Sequence, residues 1–163
     1  MSQTMTTSVT TAVPIDPSSR IEAEILNRRD IFEKTQAVEE AVLGPVDPGG
    51  LPCDLRHALA ARVAALHGEP AEAARYARGI ADRTFAPLAH PGAASDDPQI
   101  AAMLIFTDAV STNPRDIVAG DVSTLQAAGI PDADIVRLAE LNAFLAYQLR
   151  LIAGLRLMVE AVR

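Results

Sequence analysis

The last segment of the chain constrains its fold more than any other, because it predicts one long helix from residue 131 to about residue 162. Asp132 and Asp134 lie at its start, where acidic side chains interact favourably with the helix dipole. Residues 141–159 are apolar almost all round the predicted helix, and such a helix is usually central in a domain or shared with a partner subunit. We therefore expect this helix to be buried, either within the domain or at a subunit interface.

The apolar segment does not predict a membrane span. Four charged residues interrupt it, namely Arg137, Glu140, Arg150 and Arg156, whereas a spanning helix needs ~20 mostly apolar residues. The formal net charge of −7 argues against binding to nucleic acid or to an anionic membrane surface, because both need clustered Lys and Arg. Residues 1–19 lack the basic start and the apolar run of a secretory signal. These observations predict a soluble, cytoplasmic protein.

Composition favours helices throughout the chain. Hydrophobic residues make up 49% of the 163 positions but aromatic residues only 4%, so the core must be built from Ala, Leu, Ile and Val. Ala and Leu are strong helix formers, no strand pattern is present, and the length suits one domain. The single cysteine, Cys53, excludes an internal disulfide and a cysteine-based zinc site, and no metal or other cofactor is implied. The sequence predicts an all-α fold.

Proline and glycine divide the chain into about six predicted helices. Residues 1–19 are predicted to form a disordered tail, because Pro14 and Pro17 discourage regular structure, and residues 20–163 form the helical domain. The predicted elements are a first helix over about residues 19–43, a loop at 44–50, a second helix from near Pro52 to Gly68, a third from Pro70, a fourth from Pro98, a turn at Asn113, a short helix capped by Asp121 and ended by Gly129, and the last helix.

Two stretches of the chain carry a resemblance to a known family. In the first, LRHALAARVAALHGEPAEAARY at residues 55–76, a helix of small residues leads through a glycine into a second helix. The second, residues 121–157, has a short helix, Ala-Ala-Gly, an acid-opened helix and a long apolar helix with Arg150 and Gly154. Together they resemble the carboxymuconolactone decarboxylase and alkylhydroperoxidase family. The resemblance implies an alkylhydroperoxidase D-like helical domain that assembles as a trimer or hexamer.

The resemblance also implies a site on the third helix. Peroxidase members begin this helix with Cys-x-x-Cys, place a His four residues after the second Cys, and carry a Glu on the preceding helix. The helix dipole lowers the thiolate pKa, and the His and Glu move the proton. The corresponding positions here are Glu69, Glu72, Tyr76 and, for the upstream Glu, His57. Because no thiol stands at these positions, a two-cysteine peroxidase mechanism is not expected.

Each of these candidate residues has a functional and a structural interpretation. Glu69 and Glu72 could face one pocket as an acid and a base, or stabilise the first turn of a helix. His67 could serve acid–base catalysis, as the resemblance to decarboxylase members implies, or cap the end of the second helix. Tyr76 could donate a proton or pack its ring. His57 lies ten positions from His67, too far for a metal pair on one helix.

Two further residues complete the candidate set. Arg150 lies on the apolar helix, where it has to reach water, pair across a subunit interface or bind a substrate carboxylate. Cys53 lies at the predicted start of the second helix, where a thiol can be activated. The adjacent Asp54 opposes that activation, and the chain has no second cysteine to resolve a disulfide. We expect Cys53 to be a structural or incidental thiol.

Three functional hypotheses follow. In the first, the protein has lost thiol redox chemistry and serves as a small-molecule-binding protein or an oligomeric partner subunit, in a homo-oligomer or beside a cysteine-bearing relative. In the second, it is an enzyme in which His67, Glu69 and Tyr76 transfer protons, as in the decarboxylation of a small organic acid. In the third, Cys53 or a partner's thiols sustain residual hydroperoxide reduction. A pocket lined by these residues favours an enzyme, whereas side chains in bulk solvent favour binding.

Overall fold

The computed structural model describes residues 5–161, and within them it contains helices and no β-strand. The all-α prediction is therefore confirmed for these residues. The α-helices are α1 (Ser8–Thr11), α2 (Arg20–Asn27), α3 (Arg29–Leu43), α4 (Cys53–Leu66), α5 (Pro70–Ala77), α6 (Pro98–Thr112), α7 (Ala119–Ala127) and α8 (Asp132–Glu160). Two 3₁₀ helices, Arg83–Ala89 and Pro114–Asp116, lie before and after α6 in the chain.

The long helix α8 is central, as its apolar pattern predicts. It packs against α3, α4, α6 and α7, and residues at helical spacing such as Leu138, Leu145 and Ile152 are fully buried. The helix ends at Glu160, and its predicted end near Val162 falls outside the described residues. Within residues 5–161, no helix combines the length and the apolar composition that crossing a membrane requires.

Helices α4 and α5 form the hairpin that glycine and proline predict. Gly68 has a φ of 71°, in the left-handed region where glycine is strain-free. Its N–H donates to the carbonyl of Ala65 at 3.1 Å, and the N–H of Glu69 donates to the carbonyl of Ala64 at 2.9 Å, which are the two bonds of a Schellman motif. Pro70 then occupies the first turn of α5. This turn sets the direction in which α5 leaves α4.

The first predicted helix is two helices in the structure. α2 ends and α3 begins around Arg28, whose φ of −117° and ψ of 27° depart from helical values. The N–H of Arg28 donates to the carbonyl of Ile25, three residues back, so the last turn of α2 is tightened. Asn27, a residue of modest helix propensity, precedes the break. This break and the four-residue α1 account for the difference from six predicted helices.

Residues 5–19 differ from the predicted disordered tail. Met5, Val9 and Val13 are buried, and they pack in one cluster with apolar side chains of α2, the start of α3 and the end of α8. The burial of these three apolar side chains stabilises the segment despite its Ser/Thr-rich composition. We call residues 5–15 the N-terminal strap. Residues 1–4 of the predicted tail lie outside the described residues.

Asp121 stabilises the start of α7 from a position other than the predicted cap. It is the third residue of the helix, and its carboxylate accepts a hydrogen bond from the N–H of Val118 at 2.8 Å. A carboxylate three residues inside the helix satisfies a donor that an N-terminal cap would otherwise leave free. Gly129 ends the α7 region with a φ of 85°, as predicted.

Two buried arginines of α4 hold loops against the core. Arg56 donates to the backbone carbonyl of Val42 in the last turn of α3 and to those of Pro48 and Leu51 in the α3–α4 connection. Arg62 makes two hydrogen bonds of 2.6 Å to the carboxylate of Asp108 on α6, and it donates to three backbone carbonyls between α5 and α6. Because both guanidinium groups are buried, these bonds are what makes their charge tolerable in the core.

Candidate functional site

Helix α5 carries the predicted site residues, and its spacing divides them between two surroundings. Glu72 and Tyr76 are four positions apart and both buried, so they lie on the side that faces the core. Glu69 directly precedes the helix and forms an ion pair with Arg156 of α8. The structure therefore brings Glu72 and Tyr76 to the same side of α5 but gives Glu69 a different partner.

A buried ionic cluster forms around Arg75 of α5. Its guanidinium lies 2.7 Å from the carboxylate of Glu72 and 2.7 Å from the carboxylate of Glu39 on α3. Each carboxylate residue is only 3% exposed. Burial alone would lower the pKa of Arg75, but the carboxylates of Glu39 and Glu72 raise it, so the guanidinium stays charged. The guanidinium also lies 4.1 Å from the ring centre of Tyr76.

Tyr76 connects this cluster to the central helix. The residue is 1% exposed, and its hydroxyl donates to the amide oxygen Oε1 of Gln148 on α8. Burial raises the pKa of Tyr76 above its ordinary value, so the phenol is neutral at physiological pH. The amide nitrogen Nε2 of Gln148 is buried and has no hydrogen-bond partner within residues 5–161. Tyr76 thus acts in the fold as a hydrogen-bond donor that joins α5 to α8.

His57 adjoins the cluster from α4. A Cβ atom at Gly79 would lie 2.3 Å from Nδ1 of His57, so the glycine lets the imidazole approach the backbone after α5. Burial lowers the pKa of His57, and Asp54 and the backbone of Tyr76 only partly oppose this. Nδ1 is buried and has no hydrogen-bond partner among the described residues. The imidazole is therefore mainly uncharged at neutral pH.

The remaining candidates lie apart from this cluster. His67 is the C-cap residue of α4 and is exposed, which agrees with its structural interpretation as a helix-end residue. Arg150 is exposed on α8. Cys53 is exposed at the first position of α4, next to Asp54, so no thiol lies at the start of α5. Of the acid–base group His67, Glu69 and Tyr76, the structure places only Tyr76 in the buried cluster.

The N-terminal strap covers the cluster from the α3 side. The hydroxyl of Ser8 donates to the carboxylate of Glu39 and lies 2.6 Å from Oε1 of Gln36, which also accepts the N–H of Ser8 at 2.9 Å. Ser8 therefore links the strap to the same carboxylate that pairs with Arg75. The cluster is closed by residues from both ends of the sequence.

Three members of the cluster were not among the predicted site residues: Glu39, Arg75 and Gln148. A signal for Gln148 is present in the sequence, because it is an amide within the otherwise apolar residues 141–159 and a buried amide needs a partner. Glu39 lies among several other charged residues of α3, and nothing in the local pattern distinguishes it from them. Its burial depends on the strap and on α5, which are distant in sequence.

The described residues offer no arrangement for a metal ion. Within residues 5–161, no three His, Cys, Asp or Glu side chains come together in a group that could hold one. Glu39 and Glu72 instead share the guanidinium of Arg75, which balances their negative charge without a metal ion. What the cluster can do chemically is donate and accept hydrogen bonds among its own members.

An apolar groove lies on the outside of the domain, between α2, the start of α3 and the C-terminal half of α8. Its volume is about 680 Å³, within the range of roughly 300–1,000 Å³ that is typical of small-molecule sites. The apolar lining consists of Ile21, Ile25, Ile31, Phe32, Leu151, Leu155, Met158 and Ala161, with the ring of Tyr147. Ile21, Ile25, Phe32 and Leu155 are buried, whereas Ile31 is 47% exposed and Met158 is 48% exposed, so part of this lining is open to solvent.

Charged side chains border one wall of this groove. Arg20, Glu24 and Arg28 are four positions apart at α2, so they lie along one side of the helix. The buried Ile21 and Ile25 follow the same spacing one position later. None of His57, His67, Glu69, Glu72, Tyr76 and Arg150 lines this groove or the three smaller cavities found next to α3, α6 and the N-terminal strap.

Comparison with protein-family models, with curated proteins and with solved structures found no match to this chain.

Proposed function

We propose that this protein binds a small apolar or amphiphilic molecule in the groove between α2, α3 and α8. The observation that carries the proposal is the groove itself, which combines a volume of about 680 Å³ with a nearly continuous apolar lining. Small-molecule sites are concave and mostly apolar, with few polar groups at their border. The exposed Ile31 and Met158 would leave water on binding, which stabilises a complex with an apolar ligand.

The predicted catalytic positions support a binding role over thiol turnover. Glu72 is paired with Arg75, Glu69 is paired with Arg156, and Tyr76 is bonded to Gln148. Carboxylates and a phenol in these places cannot form the disulfide that a two-cysteine peroxidase cycle requires. We therefore propose that the protein is a divergent relative of the carboxymuconolactone decarboxylase family that lacks the Cys-x-x-Cys motif. Its assembly, as a homo-oligomer or with a cysteine-bearing relative, stays a prediction.

Titration with the neutral apolar dye N-phenyl-1-naphthylamine tests this function. We expect saturable enhancement of dye fluorescence, and we expect Met158→Arg to weaken binding by roughly tenfold or more, because it places a charge in the apolar groove. Val136→Arg is the matched control, since Val136 is exposed on the same helix and does not line the groove. Absence of saturable binding, or equal weakening by both variants, would contradict the proposal.

A hydroperoxide assay separates binding from residual reduction. We expect peroxide consumption equal to a control without protein, both for the wild type and for Cys53→Ser, because the exposed Cys53 has no partner thiol in the chain. Dithiol-dependent consumption that Cys53→Ser abolishes would establish the reductase instead.

An acid–base enzyme is the second candidate, and His57 favours it. Its lowered pKa and its buried, unpartnered Nδ1 beside α5 are features of groups that exchange protons. In such an enzyme His57 would be the base and Tyr76 the hydrogen-bond donor, after opening of the cluster. Turnover of small organic acids that both His57→Gln and Tyr76→Phe abolish, in variants with native circular dichroism spectra, would establish this activity.

A further inference from the structure

The border of the groove carries an excess of positive charge. The guanidinium of Arg28 pairs with the carboxylate of Glu24 at 2.8 Å, and this hydrogen bond lowers the pKa of Glu24, so the pair is charged but locally neutral. Arg20 also borders the groove and has no ion pair within residues 5–161. The border therefore offers one cation with free donors, on a protein whose formal net charge is −7.

The apolar part of the groove is elongated. Its α8 wall runs from Tyr147 to Ala161, fourteen positions, which corresponds to about 21 Å of helix. Half of the ~30 Å hydrocarbon core of a bilayer, roughly 15 Å, is the span of one acyl chain. One extended alkyl chain fits this wall better than a compact ring system does.

From these two features we infer that the ligand is a single-chain carboxylate of the fatty-acid class. The alkyl chain lies along Ile25, Leu151 and Leu155, and the carboxylate binds the guanidinium of Arg20. An arginine can hold a carboxylate by two parallel hydrogen bonds, which gives the ligand its direction in the groove. This inference rests on the proposed binding function and specifies its ligand.

Displacement of bound N-phenyl-1-naphthylamine by ligands below their micellar concentration tests the inference. We expect decanoate and dodecanoate to bind, with a severalfold gain in affinity for each added methylene. We expect dodecanoate to bind at least about tenfold more tightly than dodecanol, because only the carboxylate can form a charge-assisted hydrogen bond with the guanidinium. Arg20→Gln should remove this difference, whereas Arg29→Gln should keep it, since Arg29 does not line the groove.

The outcomes separate the inference from the function on which it rests. Equal affinity of dodecanol and dodecanoate, or an equal effect of Arg20→Gln and Arg29→Gln, would overturn the carboxylate assignment while dye binding persists. No binding of dye, alcohol or carboxylate would overturn both. Light scattering that shows a dimer converted to a monomer by Met158→Arg, without any ligand binding, would assign the groove to a second copy of the chain and overturn the inference.

Discussion

The two tyrosines, Tyr76 and Tyr147, place their phenol hydroxyl groups in different surroundings. Tyr76 is buried and donates to Gln148, whereas Tyr147 is 44% exposed and bonds the hydroxyl of Thr35 at 3.1 Å. Tyr76→Phe should lower the free energy of unfolding by about 1–3 kcal/mol, because it leaves the buried amide of Gln148 without a partner. Tyr147→Phe should change it by no more than about 0.5 kcal/mol. Urea denaturation measures both, and equal effects would contradict the role assigned to Tyr76.

His57 gives the stability of the fold a pH dependence of defined sign. Its pKa in the folded state is below the ordinary 6.5, so the unfolded state takes up a proton first as the pH falls. The free energy of unfolding is therefore not reduced by His57 above about pH 6.5. It decreases as the pH falls from there towards the folded-state pKa of His57. We expect His57→Gln to flatten the loss of stability between pH 7 and pH 5.

Thermal unfolding across this pH range provides the measurement. His67→Gln is the control, because His67 is an exposed residue at the end of the same helix. If His67→Gln reduced the pH dependence of stability as much as His57→Gln does, the assignment to His57 would be contradicted.

At the scale of single residues, the sequence identified two positions that lie together but not their partners. Glu72 and Tyr76 were identified as site positions, and they do lie together in the core. Glu39, which shares the guanidinium of Arg75 with Glu72, lies 33 positions before Glu72, and Gln148 lies 72 positions after its partner Tyr76. Helical periodicity carries no information about such distant pairs. Polar side chains that find their hydrogen-bond partners in a buried cluster can be recognised only when the packing of the helices is known.

At the scale of the helices, we expect substitution of alanine for glycine to have opposite effects on the free energy of unfolding at two positions. Gly68→Ala should cost roughly 1–2 kcal/mol, because its φ of 71° is unfavourable for any residue with a Cβ. Gly154 is exposed within α8 and no atom lies within 4 Å of a Cβ built there, so Gly154→Ala should stabilise the protein by about 0.5–1 kcal/mol. The same sign for both variants in urea denaturation would contradict this account.

Helix boundaries marked by proline and glycine were predicted well. α4, α5 and α6 begin within a residue of the predicted position, because Pro52, Pro70 and Pro98 act locally. The break at Arg28 was missed, since neither proline nor glycine marks it and the apolar spacing continues across it. Such a break depends on how α2 packs against the strap and α8, which is a tertiary effect.

At the scale of the whole molecule, the N-terminal strap is predicted to depend on one buried side chain. Val9 is 1% exposed in the cluster that joins the strap to the end of α8. Val9→Asp should release the strap, because a buried, unpaired carboxylate is strongly unfavourable. Trypsin should then cleave after Arg20 much faster than in the wild type, as mass spectrometry of timed digests would show. Thr6→Asp, at an exposed position of the strap, should not accelerate cleavage. Equal cleavage rates for wild type and Val9→Asp would contradict this role.

The strap was predicted to be disordered as part of the tail of residues 1–19, which is polar and contains Pro14 and Pro17. Its order comes from three apolar side chains whose partners include Ile152, Leu155 and Val159, about 140 positions later. A short amphipathic segment has no stability of its own, so only the assembled domain can order it. The all-α class followed from composition, whereas closure of the domain by its own N-terminal segment did not.

This closure has a consequence for the order of events on the ribosome. The strap lies about 140 residues before the side chains of α8 against which Met5, Val9 and Val13 pack, so it is synthesised well before them. Contacts of such long sequence separation form late, because a large loop must close before they gain anything. The apolar side of the strap therefore stays unpartnered while the intervening helices are translated, and it can dock only after α8 has been synthesised.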